Sequence, residues 1–174
     1  MLRPPRLRLR YVSDMTASIP RSRRRSRAAL IAAAVAGLVH AAVSFYWGLG
    51  GTKLVETLGE RIISMFTGME WLLLFVGAAK VAGALVPLWL NERGWPRARF
   101  WRPACWLGAA GLIAWGGVNT VTANLVLSGI IVPDGGYDRP AMIGHGWLWD
   151  PLFLIWGIAL AAGLWLSRGD SSKA

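Results

Sequence analysis

The chain has 174 residues, of which 55% are hydrophobic and only 16% charged, and it carries a formal net charge of +10. A soluble helical protein spreads its charges along the water-facing side of each helix. Here they fall into a few clusters, which excludes that class. The positive charge sits beside apolar stretches rather than on a face of its own, which argues against a nucleic-acid binder.

Residues 1–27 carry little apolar surface before about Arg21 and read as a basic, disordered tail, with Met15 as a second candidate start. The run "RSRRRSR" at residues 21–27 reads as a topology signal that also meets anionic lipid head groups. Four apolar stretches follow, at residues 28–50, 69–90, 104–132 and 147–166. About 20 helical residues at a rise of about 1.5 Å cross the roughly 30 Å hydrocarbon layer, so each stretch can span a membrane. The first is too long for a cleaved signal peptide and reads as an uncleaved anchor.

Between the first two stretches, Leu54, Leu58, Ile62 and Met65/Phe66 recur at helical spacing, with Lys53, Glu56, Glu60 and Arg61 on other faces. That pattern predicts a short amphipathic helix lying on the membrane surface. "TGME" at residues 67–70 matches a capping box for the second span. Arg93, Arg97, Arg99 and Arg102 fill the next loop, and "PDGGYDRP" at residues 133–140 is a turn cluster. Asp150 followed by Pro151 fits a helix start. Residues 167–174 form a second short tail.

Basic residues alternate from side to side. Arg21, Arg23, Arg24, Arg25 and Arg27, then Arg93 to Arg102, then Arg168 and Lys173 fall on one side, against only Lys53, Arg61 and Arg139 on the other. This is the positive-inside pattern, and it predicts a multi-pass protein of the plasma membrane with both termini cytoplasmic. Most of the eleven tryptophans fall at span ends, where indole rings favour the head-group level. Gly37, Gly77, Gly108, Gly111, Gly116 and Gly157 place small residues in helical register, which predicts helix contacts in the bundle interior. Cys105 stands alone, so the chain can form no internal disulfide.

Lys80 lies at the centre of the second span, too deep for its amine to reach water by extending along the helix. His40, Asn119 and Asp150 map to similar or shallower depths in the outer half, and a Lys80–Asp150 contact is within reach. With Glu70, Asn124 and His145 they form a candidate polar cavity with Lys80 at its floor. The competing reading is structural: a buried ion pair for Lys80, helix caps for Asp150 and Glu70, and hydrogen bonds between helices for His40, Asn119 and Asn124. No catalytic set, metal motif or cofactor motif is visible, so neither metal nor cofactor is expected.

"HAAVSFYWGLGGT" at residues 40–52 and "HGWLWDPLFLIWG" at residues 145–157 resemble an uncharacterised family of small four-helix bacterial integral membrane proteins, the domain of unknown function 3995 type. The resemblance covers about residues 28–166. It implies architecture and membrane location, and no catalytic residue follows from it. The expected fold is all-α: a four-helix transmembrane bundle, up-down-up-down, with a short interfacial amphipathic helix in the first external loop. Three function classes compete: a small ligand-, ion- or proton-handling protein, an accessory or scaffold subunit of a membrane complex, and, most weakly, an enzyme acting on a lipid or isoprenoid. The expected partners are the lipid bilayer, a second copy of the chain or a larger membrane complex, and no nucleic acid.

Overall fold

The computed structural model describes residues 21–168. Among them no strand forms. Four long helices are apolar enough to cross a membrane: α1 (Arg21–Gly48), α3 (Leu72–Glu92), α4 (Ala98–Leu127) and the continuous helical stretch Arg139–Leu166. The last is made of α5 (Arg139–Ile143), a π-helical turn (Gly144–Leu148) and α6 (Trp149–Leu166). The expected tail before Arg21 and most of the expected C-terminal tail lie outside the described residues.

Residues 21–27, expected as part of the tail, form the first turns of α1. Tertiary contacts hold them. Ser26 Oγ is buried and lies 3.4 Å from both Asn91 Oδ1 and the Gly163 carbonyl oxygen. Arg27 Nε donates to Glu92 Oε1 at 2.7 Å.

The helices alternate in direction, and their lateral order is α3, α1, α6, α4, because α1 packs on α3 and α6, and α6 on α4. Small residues make these approaches possible. An added Cβ at Gly37 of α1 would come within 2.7 Å of Ala84 Cβ on α3 and of the Trp156 ring on α6. One at Gly116 of α4 would meet the Asp150 carbonyl oxygen and Leu154 N at 2.5 Å. Gly157 is closed in the same way by Ile113 and Ala109. Gly108 and Gly111 differ from the expectation: nothing lies within 4 Å of an added Cβ, because they face a groove between α3 and α4.

At the arginine-rich end, hereafter the basic end, Arg102 Nη2 donates to the Leu164 carbonyl at 2.6 Å and Nη1 to Ser167 Oγ at 3.2 Å. Its guanidinium also lies over the Trp95 ring. A cation therefore satisfies one of the last carbonyls of α6.

At the opposite end, the expected surface helix is broken by Gly59 (φ 88°) into a 3-10 turn, Val55–Leu58, and α2, Glu60–Phe66. Only glycine holds that backbone angle without strain. The third span stops at Leu127, earlier than its apolar run suggests. Gly129 (φ 75°) turns the chain, with Ile130 N bonded to Leu125 O and Gly129 N to Val126 O, a Schellman stop.

The fourth span starts earlier than expected, at Arg139. Asp138, not Asp150, is the N-cap: Oδ1 accepts from Ala141 N at 3.0 Å and Oδ2 from Glu60 N at 3.2 Å, so one carboxylate ties α5 to the start of α2. The capping box at "TGME" does not form either. Glu70 Oε1 accepts from Gly68 N, and α3 begins two residues later without a side-chain cap.

Gly116→Ala forces a methyl against the backbone of α6 and should destabilise the protein by about 1–3 kcal/mol, the usual range for overpacking. Gly108→Ala adds its methyl to open space and should be neutral or slightly stabilising, since alanine is the better helix former. Thermal melts of the two variants in the same detergent separate these outcomes.

Candidate functional site

The polar residues of the spans gather into two clusters on different sides of α6. Trp149 and Phe153 stand one helical turn apart and face α1, while Asp150, rotated by about 100°, faces α4.

The first cluster joins α1 to α3. Lys80 Nζ lies 3.0 Å from His40 Nδ1 and donates to Ser44 Oγ at 2.8 Å. Ser44 is one turn after His40 and passes its own hydrogen to the His40 carbonyl at 3.3 Å. The His40 ring packs on Phe153 with centroids 4.0 Å apart, and Lys80 Nζ lies 5.5 Å from the same Phe153 ring. His40 and Ser44 are buried, and Lys80 is half-buried. An ammonium has only hydrogens to give, so His40 accepts at Nδ1 and carries its own proton on Nε2. That Nε2 is buried and has no hydrogen-bond partner.

Lys80 makes no ion pair among the described residues. The expected contact with Asp150 is not made, because Asp150 is turned to α4 and taken by other groups. Lys80 therefore meets a neutral ring nitrogen, a hydroxyl and an aromatic face, the last a favourable cation–π partner.

The second cluster joins the π-turn to α6 and α4. His145 Nδ1 and Asp150 Oδ2 are 2.5 Å apart. Asn119 Nδ2 reaches Asp150 Oδ1 at 3.5 Å. Asp150 is 1% exposed, so its carboxylate depends on these two partners. The π-turn is what points His145 at it, and its two glycines permit the turn. A side chain at Gly144 would collide with the Thr57 carbonyl, and one at Gly146 would press on Asn124. Inserted π-turns of this kind recur at functional sites.

Asn124 serves the same turn as a strap. It donates to the Thr120 and Gly146 carbonyls at 2.7 and 3.3 Å and accepts from Trp147 Nε1 at 2.9 Å. Thr57 holds the aromatic wall, accepting from the buried Trp149 Nε1 at 2.9 Å.

Of the seven residues singled out from the sequence, His40 and Lys80 meet in one cluster, and Asn119, His145 and Asp150 in the other, with Asn124 beside it. Glu70 joins neither. It is exposed, and its own backbone amide, followed by that of Gly68, holds its carboxyl below the usual range. Ser44, Phe153 and Thr57 complete the two clusters. Ser44 was legible from its one-turn spacing to His40, whereas Phe153 and Thr57 carry no mark in the sequence beyond being ordinary packing residues.

Cavities of about 620, 500, 310 and 220 Å³ open elsewhere, and none of these four is lined by Lys80, His40, Asn119 or Asp150. His145 reaches the 310 Å³ cavity beside Arg61 and Asp138, and Glu70 lines the 220 Å³ cavity. The residues expected to share one polar site thus fall into two clusters, one at Lys80 and His40 and one at Asp150 and His145, with Glu70 apart from both.

Asp150→Ala removes the acceptor of both His145 and Asn119 and should cost about 3–5 kcal/mol, the range for stranding one partner of a buried charged pair. Reversible unfolding in bicelles would measure it. A loss under about 1 kcal/mol would mean that the pair does not hold the π-turn in place.

No curated protein and no solved structure matches the chain. The family model described as "Protein of unknown function (DUF3995)" matches residues 37–160, more than half of its length and all of both clusters. The chain is an integral membrane protein and belongs to that family.

Proposed function

We propose that the protein handles protons or a small anion at Lys80, His40 and Ser44, in the plasma membrane of a bacterial cell. The termini face the cytoplasm and the two polar clusters lie in the outer half. The observation that carries this reading is the missing counter-charge: Lys80 stands at mid-span with only neutral partners among the described residues. An intramembrane cation that no carboxylate neutralises can take up an anion or exchange its proton with a neighbouring base. His40 Nδ1 is such a base, 3.0 Å away. The cluster is rich in donors, since the third Nζ hydrogen and His40 Nε2–H have no acceptor assigned. Arginines of the 21–27 run meet anionic lipid head groups on the cytoplasmic side.

A second reading, an accessory subunit with purely structural polar residues, is favoured by the other cluster. There His145, Asp150 and Asn119 satisfy one another. A specific larger partner cross-linked in native membrane would support it.

Proteoliposomes containing a pH-sensitive dye test the first reading. After a pH step, wild-type vesicles should equilibrate faster than protein-free vesicles, and Lys80→Met should fall back to the protein-free rate while its circular dichroism is unchanged. Repeating the step with permeant and impermeant anions separates anion from proton movement. Equal rates for wild type and empty vesicles under every condition would contradict the proposal.

A further inference from the structure

The groove between α3 and α4 lies away from both clusters. Its volume is about 500 Å³, and its floor is Trp156 and Leu160 of α6. Gly83 and Pro87 form one wall, and Gly108 and Gly111 the other. Pro87 has no N–H to give to the Gly83 carbonyl, so the α3 wall is a weakened helical turn.

The groove runs along α4 from Trp101 to Leu112. At about 1.5 Å per residue that is roughly 16 Å, half of the roughly 30 Å hydrocarbon layer. It occupies the half next to the basic end and stops at mid-membrane. A neighbouring helix would need a seat along the whole span, whereas one lipid chain needs only one leaflet.

The same end carries unused positive charge. Arg102 is engaged by Leu164 and Ser167, and Arg93 lies on Trp89. Arg97 and Arg99 are exposed, and their side chains make no hydrogen bond or ion pair among the described residues. They immediately precede Trp101, where the groove begins.

We propose that this groove is a binding site for one anionic phospholipid of the basic-end leaflet, with a chain along Gly108 and Gly111 and its phosphate at Arg97 and Arg99. Guanidinium groups bind phosphate oxygens through paired N–H donors, and the site has no competing carboxylate on the α4 side.

The test is native mass spectrometry of the full chain released from nanodiscs of equimolar phosphatidylglycerol and phosphatidylcholine. The wild type should retain one phosphatidylglycerol in preference to phosphatidylcholine. Arg97→Gln and Arg99→Gln should each lower that preference by on the order of fivefold, from the roughly 1 kcal/mol that each basic residue contributes beside an anionic surface. Gly108→Leu with Gly111→Leu fills the groove from open space and should abolish retention of either lipid, while the melting temperature confirms folding. Equal retention of the two lipids by the wild type would overturn the proposal, as would retention in the filled-groove variant. A stable wild-type dimer that the filled-groove variant dissociates would show the occupant to be a second copy, and would overturn it too.

Discussion

An ammonium group near the middle of a bilayer constrains everything around it. The surrounding lipid offers neither water nor counter-ions, so the protein must hold the charge with its own groups or relieve it by giving up a proton. Lys80 is held by His40 Nδ1, Ser44 Oγ and the Phe153 face. Each of those groups needs its own support. His40 and Ser44 require α1 to lie close against α3, and Phe153 requires α6 to lie close against α1. The alanine and glycine face of α1, centred on Gly37, allows both approaches at once.

The second cluster obeys the opposite rule. A carboxylate as buried as Asp150 needs hydrogen-bonding partners within the protein. His145 supplies one from the preceding π-turn, and the turn needs Gly144 and Gly146 because a 3-10 segment and α4 press against it. The two clusters are separated by the Trp149–Phe153 wall, which keeps the acid away from the lysine. The cation is thereby left without a carboxylate although one lies on the neighbouring face of the same helix.

Much of this was legible in the sequence. Apolar length gave the four spans, because a surface helix of a soluble protein keeps a polar face over that distance. The ends were less legible, for identifiable reasons. Gly129 stops the third helix inside an apolar run, and Asp138 starts the fourth before its apolar run begins. Asp150–Pro151 has the residue types of a cap, yet a helix already in progress from Arg139 needs no cap there. Depth counting brought His40 and Lys80 to the same level. It could not tell which face of α6 each side chain meets, and that rotation decides whether Lys80 finds Asp150 or Phe153. Gly108 and Gly111 share the register of interior glycines, but the lateral order of the helices, which periodicity does not encode, leaves them facing a groove.

The central claim is that the charge of Lys80 is not retained for the sake of the fold. The most direct test is the unfolding free energy of Lys80→Met beside wild type in the same lipid nanodiscs, since methionine keeps the apolar stem and removes the charge. The account predicts a variant as stable as wild type or more so, because a half-buried cation without a counter-ion contributes little that packing does not. A loss of several kcal/mol, about the 3–5 expected when a buried charge pair is broken, would contradict it and return Lys80 to a structural role.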